Sequence, residues 1–207
     1  RVLACDPNDL KVTPSEIGGG FGGKTTIYHE PIGIVLSRKS GRPVKLVMNR
    51  EEVFRATGPT SGAKIKMRIG AKADGTLVAG ETQLVFEAGA FRGSPVGAAC
   101  MCVFTPYKIA NFFIEGLDVV LNKPKVAAYR APGSPIAAFA LEQLMDELAL
   151  KLGRDPIDLR LQNAVQEGDR APYGPVFKRI GFRETLEAAQ QHPHYTEIRR
   201  ASCRERV

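Results

Sequence analysis

A glycine-rich loop near the start of the chain is the first feature that could do chemistry. Residues 18–25 read GGGFGGKT, so five of the first six positions are glycine. Glycine has no Cβ and adopts positive φ readily, so another group can come close to the backbone. Several N–H groups can then converge on an oxyanion or a metal-oxo group. Phe21 interrupts the run and suggests a rigid apolar wall beside a bound group, whereas an ordinary tight turn is the alternative.

The same loop also matches a phosphate-binding expression. Residues 18–25 fit G-x-x-x-x-G-K-[ST], in which backbone N–H groups hold phosphates and the Lys contacts their oxygens. A nucleotide-binding module is therefore the alternative function. The sequence Pro14, Ser15, Glu16 precedes the loop in place of an apolar strand, and no later apolar strand ends in a suitable metal-binding Asp. The downstream region also lacks the βαβ alternation that such a fold requires.

A second motif lies far downstream. Residues 128–133 read AYRAPG, and MDELA follows at 145–149. GRDP at 153–156 and LRLQN at 159–163 complete the run. The guanidinium of Arg130 is a planar fork of donors that suits oxygen atoms around a metal or a phosphate. The alternative for Arg130 is a surface salt bridge worth under about 1 kcal/mol.

The elements that must position these motifs fall into separate runs of strand and helix. This pattern predicts an α+β fold, with a mixed, mainly antiparallel sheet region followed by helices. Ile65, Met67 and Ile69 alternate with charged residues as in a half-buried strand, and Asp74-Gly75 predicts a hairpin turn. The other elements expected are a helix at about 26–40, bent near Pro31 and ended by Gly41, a strand at 44–48, a helical turn at 50–54, strands at 77–87 and 112–121, and helices at 134–152, 155–161 and 182–191.

The longest of these helices carries apolar residues at helical spacing, which predict the face that packs on the core. Ser134 is the predicted N-cap, Pro135 the first helical residue and Gly153 the stop. The residues predicted to face the core are Ile136, Phe139, Ala140, Leu144, Leu148 and Leu152.

Composition excludes several classes of protein. The chain has 207 residues, of which 43% are hydrophobic, so it can bury a sizeable core. No apolar stretch reaches the roughly 20 residues of a membrane helix. The net charge is +7, but four Arg against one Glu at 199–207 supply +3 of it and the remainder is scattered. We therefore expect no nucleic-acid partner and no membrane span, and we interpret 199–207 as a non-native tail.

The four cysteines, Cys5, Cys100, Cys102 and Cys203, include no CxxC pair, which disfavours a structural zinc site. The two-residue spacing of Cys100 and Cys102 would place both on one face of a strand, as small buried residues. A reduced, cytoplasmic chain is the expectation. The chain begins at Arg1, which we interpret as truncation, so a periplasmic location stays open.

Taken in order, the two motifs resemble the large subunit of the molybdenum hydroxylases, the family of the xanthine dehydrogenases and aldehyde oxidases. That family has a GGGFGG loop, a mostly stranded stretch, an A-[FY]-R-x-x-G turn, a helix with an MDELA-like core and a D-P-x-x-[LF]-R-x-x-N helix. The resemblance covers residues 1–190 or so. It implies that 1–195 is part of a larger molybdopterin-binding domain, with a strand-rich part at 1–125 and a helical part at 126–195.

The resemblance also implies roles for individual residues. It assigns cofactor binding to Gly20, Phe21, Gly22 and Arg130, and a place near the substrate to Thr25, Ala131 and Pro132. Purine oxidisers of the family have a Glu where this chain has Thr25 and a Phe where it has Pro132. Carbon monoxide dehydrogenases have a Cys where it has Ala131. The substrate implied is an aldehyde or a heteroaromatic compound other than a purine.

The cofactor implied is molybdenum held by molybdopterin, in its cytosine dinucleotide form, with no direct metal ligand from the chain. The reaction implied is oxidative hydroxylation of a small organic substrate with oxygen from water. Electrons would pass to iron–sulfur clusters and FAD on partner subunits or domains, because this chain has no Cys pattern for a cluster. The family's general-base Glu is expected outside the fragment. No catalytic residue is therefore assigned here, and the fragment alone is expected to be inactive.

Overall fold

The computed structural model describes residues 3–58 and 60–204, and it confirms the α+β class. A short 3-10 helix at Pro7–Asp9 precedes the main elements. These are α1 Glu30–Ser40, α2 Arg50–Ala56, β1 Ala63–Ala71, β2 Leu77–Gly89, α3 Val96–Cys102, β3 Asn111–Val120, α4 Ser134–Lys151, α5 Pro156–Asn163, α6 Phe182–Gln191 and α7 Pro193–Arg204. Helix α7 thus enters the segment 199–207, of which 205–207 lie outside the described residues. None of the described helices combines the length and apolar character needed to cross a bilayer.

The chain forms two compact units, and each is assembled from separated segments. The first unit comprises Arg1–Gly62, Phe86–Pro95 and Asp118–Pro132, and the second comprises Ala63–Val85, Val96–Leu117 and Gly133–Val207. The glycine-rich loop and the Arg130 turn therefore belong to the first unit. The helices from α4 onward belong to the second.

A three-stranded sheet has the order β1-β2-β3. Strands β1 and β2 form the hairpin that Asp74-Gly75 predicted, and the Lys72 N–H donates to the Thr76 carbonyl at 2.9 Å to close it. Alternate residues of β2 are buried, and Leu84 and Phe86 are fully inaccessible. This two-residue period is what one packed face of a strand requires.

Strand β3 pairs with β2 in parallel, contrary to the antiparallel expectation for this strand. The Gln83 amide donates to the Glu115 carboxylate at 2.7 Å, and the Leu121 N–H donates to the Gly89 carbonyl at 3.1 Å. In each pair the two residues are 32 positions apart in the sequence. Because this separation stays constant along the strands, the strands run in the same direction. Helix α3 supplies the crossover that parallel strands need. The sheet is therefore mixed, and Cys100 and Cys102 lie on that helix and not on a strand.

Two local expectations are wrong in the first unit. Helix α1 begins at Glu30, and Pro31 lies in its first turn, where the missing N–H of proline costs nothing. Proline therefore starts this helix instead of bending it, while Gly41 ends it as predicted, with φ of 65°. Residues 44–48 form no strand, and Val47 is 75% exposed. An apolar run becomes a strand only where a partner strand is available to pair with it.

The buried stripe of α4 is displaced by one residue from the predicted one. Phe139, expected in the core, is 68% exposed. The helix starts at Ser134 with Gly133 as its N-cap, so the predicted cap is also one position off. The buried residues of this helix are Ala137, Leu141, Met145 and Ala149. These four recur every fourth position and share one face.

An ionic cluster around the buried Arg160 joins α4 to α5. The Arg160 side chain is 11% exposed, and its Nε lies 2.7 Å from Glu142 Oε2 while its Nη1 lies 2.8 Å from Asp146 Oδ1. The Tyr107 hydroxyl lies 2.8 Å from Glu142 Oε1. Burial, together with the Glu142 carboxylate, raises the pKa of Tyr107 far above its usual value. The tyrosine therefore stays protonated and donates to the carboxylate.

A buried amide joins the β1–β2 hairpin to α5. Asn163 is 3% exposed; its Oδ1 accepts from the Leu77 N–H at 2.9 Å, and its Nδ2 donates to the carbonyls of Gly75 at 3.0 Å and Leu159 at 2.9 Å. The side chain thus satisfies three backbone groups, two of which belong to the hairpin. Buried polar groups are costly unless they are paired in this way.

Replacing Asn163 with alanine is expected to lower the free energy of unfolding by about 2–4 kcal/mol, because it leaves buried backbone groups without partners. Urea denaturation followed by circular dichroism measures the change. Asn111→Ala is the matched control, since its exposed amide also donates to a backbone carbonyl, that of Val78 at 3.2 Å. If both variants lose equally little stability, the buried amide does not anchor the hairpin.

Candidate functional site

The glycine-rich loop has a strained backbone at its tip. Phe21 has φ of 51° and Gly22 has φ of 85°. A left-handed backbone is rare for a residue with a bulky side chain and carries a cost of about 1–3 kcal/mol. The Phe21 ring is 78% exposed, so burial of that ring within the described residues does not offset the strain. Retained strain at an exposed aromatic residue is typical of a functional loop.

The loop lies directly on the segment that precedes Arg130. A Cβ built on Gly22 would lie 1.5 Å from the carbonyl oxygen of Ala128 and 3.1 Å from the amide nitrogen of Tyr129. No side chain fits in this space, so only glycine allows the two backbones to meet. The structure thus brings together two motifs that are far apart in the sequence.

The turn after this contact is also strained. Ala131 has φ of 48°, and Ala4, Phe21 and Ala131 are the described residues other than glycine with positive φ. Two of these three therefore fall in the two motifs. The side chains of Arg130, Ala131 and Pro132 are exposed.

The loop and the turn together offer hydrogen-bond donors. Within residues 3–58 and 60–204, the N–H groups of Phe21 and Gly22 donate to no other group, and the Arg130 guanidinium forms no ion pair. Free N–H groups and a guanidinium suit anionic oxygens. The described residues contain no group of three His, Cys, Asp or Glu side chains that could hold a metal ion. This donor set fits a bound group that presents anionic oxygen atoms to the protein.

The Thr25 side chain forms a hydrogen bond within the loop. Its hydroxyl donates to the carbonyl of Gly22 at 2.8 Å. The Gly23 N–H donates to the carbonyl of Gly20 at 2.9 Å, which closes a tight turn around Phe21. Thr25 therefore contacts Gly22, one of the predicted cofactor-binding residues, directly.

The surroundings of the loop do not support a phosphate-binding motif. In such motifs the Lys and the following Ser or Thr open a helix that follows a buried strand. Here α1 begins only at Glu30, and residues 11–17 form no strand. Lys24 and Thr25 therefore lack the helix N-terminus that would hold a phosphate, and the nucleotide-binding alternative is not favoured.

A second anchored loop lies in the same unit, and no motif in the sequence indicated it. The Asp118 carboxylate accepts from the N–H groups of Gly93 at 2.9 Å and Ser94 at 3.0 Å, and these bonds hold the pKa of Asp118 below its ordinary value. Lys125 Nζ donates to the carbonyl of Gly93 at 2.8 Å. The loop carries Phe91, which is 70% exposed. No local sequence signal links Asp118 to Gly93, since the two are joined only through the parallel pairing of β2 and β3.

Comparison with known proteins supports the resemblance drawn from the two motifs. The family profile described as "Molybdopterin cofactor-binding domain" matches residues 1–164. The chain is 33% identical over 199 residues to a xanthine dehydrogenase molybdenum-binding subunit of Escherichia coli, covering 94% of this chain and 26% of that protein. It is 35% identical over 182 residues to an aldehyde oxidoreductase of Megalodesulfovibrio gigas, covering 83% of this chain and 19% of that protein.

Solved structures show the same relationship. The aldehyde oxidoreductase of Desulfovibrio desulfuricans has a TM-score of 0.79 and 32% identity, over 89% of this chain and 20% of that one. A carbon monoxide dehydrogenase of Oligotropha carboxidovorans has a TM-score of 0.81 at 24% identity, over 93% of this chain and 25% of that one, and shares the fold. The chain therefore spans about a fifth to a quarter of the length of these relatives.

Proposed function

This chain belongs to the molybdenum hydroxylase family of the xanthine dehydrogenases and aldehyde oxidases, and from that premise we propose that it forms part of the cofactor cradle of such an enzyme. The observation that carries the proposal is the contact of Gly22 with the Ala128 carbonyl, which places the loop beside the segment that leads to Arg130. When bound, the molybdenum–molybdopterin group supplies the two-electron oxidising centre for a hydroxylation that takes its oxygen from water.

In this proposal the chain binds and orients the cofactor. The backbone around Gly20, Phe21 and Gly22 donates hydrogen bonds to its oxygen atoms, and the Phe21 ring forms an apolar wall. Arg130 places a fixed positive charge next to anionic oxygens, where charge-assisted hydrogen bonds are strong. Ala131 and Pro132 follow on the strained turn and present small surfaces towards a substrate.

From the same family membership we propose the form of the cofactor, the class of substrate and the route of the electrons. The cofactor is the cytosine dinucleotide form, and the substrate is an aldehyde or a heteroaromatic compound other than a purine. Electrons leave through iron–sulfur clusters and FAD on partner subunits or domains, and the protein acts in the cytoplasm. The general base is a glutamate that this fragment does not contain. The fragment by itself therefore has no activity.

Metal and pterin analysis of the full-length parent, purified from a host that makes the cofactor, tests the proposal. We expect molybdenum and a pterin in a one-to-one ratio. A parent that contains neither would show that the cradle holds something else.

Replacing Arg130 with alanine in that parent is expected to lower kcat/KM about 10- to 100-fold, the loss of one or two charge-assisted hydrogen bonds. Molybdenum content and steady-state kinetics measure it. The control is Arg55→Ala, whose guanidinium makes an exposed pair with Glu51 at 2.8 Å on α2. Unchanged kinetics and metal content in the Arg130 variant would remove Arg130 from the site.

A further inference from the structure

We propose that Thr25 is a positioning residue that fixes the peptide group between Gly22 and Gly23, and that it does not bind the substrate. The inference rests on the proposed function, because the peptide that it fixes belongs to the proposed cofactor cradle. It changes the role that family resemblance implies for this position, which is a place near the substrate.

The first step is the use of the hydroxyl proton. A threonine hydroxyl has one proton to donate, and the Thr25 hydroxyl donates it to the Gly22 carbonyl, with 2.8 Å between the two oxygens. While this bond is made, Thr25 has no proton to offer a substrate. It also carries no charge, so it presents at most a neutral acceptor.

The second step is the effect on the Gly22–Gly23 peptide. Its carbonyl accepts from Thr25, and its N–H, which belongs to Gly23, donates to the Gly20 carbonyl at 2.9 Å. The peptide is therefore held at both ends. Glycine has no Cβ to restrict its backbone, so rotation about Gly22 and Gly23 must be limited by bonds of this kind.

The third step connects this peptide to the site. The Cα of Gly22 lies against the carbonyl of Ala128, with no room for a Cβ. Turning the peptide that follows would change ψ at Gly22 and φ at Gly23, and we expect the N–H groups of Phe21 and Gly22 to change direction with the loop. Thr25 thus maintains the direction of the donors at Phe21 and Gly22, without contacting the cofactor itself.

The test compares Thr25→Val with Thr25→Ser in the full-length parent. Valine keeps the shape of threonine and removes the hydroxyl, while serine keeps the hydroxyl. Molybdenum and pterin content, the Mo(V) EPR spectrum, kcat and KM are measured. We expect Thr25→Val to lower kcat about 3- to 10-fold, the loss of one neutral hydrogen bond. The EPR spectrum should change, KM should stay near its original value, and Thr25→Ser should restore both kcat and the spectrum.

Three outcomes would overturn the proposal. Thr25→Val could raise KM with unchanged kcat and spectrum, which would make Thr25 a substrate contact. Both variants could lose activity equally, so that the methyl group and not the hydroxyl matters. Both could behave as the parent does.

Should Thr25→Val fail to accumulate, Thr25→Ala removes the same hydroxyl without a branched side chain and is judged by the same outcomes. A parent without molybdenum and pterin contradicts the proposed function instead, so the two failures are distinguishable.

Discussion

Gly22→Ala in the full-length parent is expected to lower activity at least about 100-fold, the effect of displacing a binding group by about 1 Å. A Cβ at this position would lie 1.5 Å from the Ala128 carbonyl oxygen, so the loop or the segment before Arg130 must move. The positive φ of Gly22 adds a backbone cost of about 1–2 kcal/mol for alanine. Molybdenum and pterin content should fall together with activity.

Gly18→Ala is the matched control for this prediction. It lies in the same glycine run, its φ is not positive, and a Cβ built on it meets nothing within 4 Å. We expect it to keep the cofactor content and the activity of the parent. If Gly22→Ala keeps them as well, the contact between the loop and Ala128 does not form the cofactor cradle.

Arg160→Ala is expected to lower the free energy of unfolding by about 2–4 kcal/mol. Removing one partner from a buried ion pair leaves the other charge without compensation, which usually costs about 3–5 kcal/mol. The expected value is lower here because the side chains of Glu142 and Asp146 are 37% and 61% exposed, so that water screens part of their charge. The Tyr107 hydroxyl would also bond to a carboxylate that α5 no longer holds. Chemical denaturation monitored by circular dichroism gives the difference.

The control for this variant is Arg68→Ala. Arg68 also pairs with a glutamate, Glu81, at 3.6 Å, but its side chain is 86% exposed. Pairs of this kind contribute under about 1 kcal/mol. Similar losses in the two variants would mean that the Arg160 cluster adds no more than a surface ion pair does.

The second motif combines two functions that the sequence did not separate. Arg130 lies at the proposed site, whereas Arg160 and Asn163 hold α5 to α4 and to the β1–β2 hairpin. Asp155, from the same D-P-x-x-L-R-x-x-N run, caps α5 by accepting from the N–H groups of Ile157 and Asp158. Most of the later part of the motif is therefore structural. The spacing of the motif indicates the family whether a residue binds a ligand or holds the fold. Sequence alone does not separate the two roles, because both require a polar side chain that forms specific hydrogen bonds.

Local signals predicted α4, α5 and α6 well, whereas α3 and α7 were not predicted. Asp155 and Gly153 mark the boundary between α4 and α5, and α6 has the bounds expected from its sequence. Such signals are reliable because a cap or a stop depends on a few neighbouring backbone groups. The same holds for the turn at Asp74-Gly75, where the backbone hydrogen bonds that close the turn join residues four or fewer positions apart.

Sequence signals whose outcome depends on distant partners gave wrong predictions. The apolar residues of α4 form two possible stripes, and packing alone selects the one that contains Leu141 and Met145 and leaves Phe139 exposed. The apolar run at 44–48 pairs with no strand in the part of the chain that the structure describes. The direction of β3 follows from the crossover through α3, whose small residues show no helical period.

The sequence by itself indicated the family and the α+β class, because both motifs and the separate runs of strand and helix can be read along the chain; the residues of the proposed cradle come from the resemblance to that family and stay a prediction. Only the tertiary structure decided that Gly22 lies against Ala128 and that the Thr25 hydroxyl bonds to Gly22. The first is a contact between residues distant in the chain, and no local propensity encodes it. The second depends on the conformation of the loop. Glycine permits many φ values there, so residue type does not fix the position of the Gly22 carbonyl.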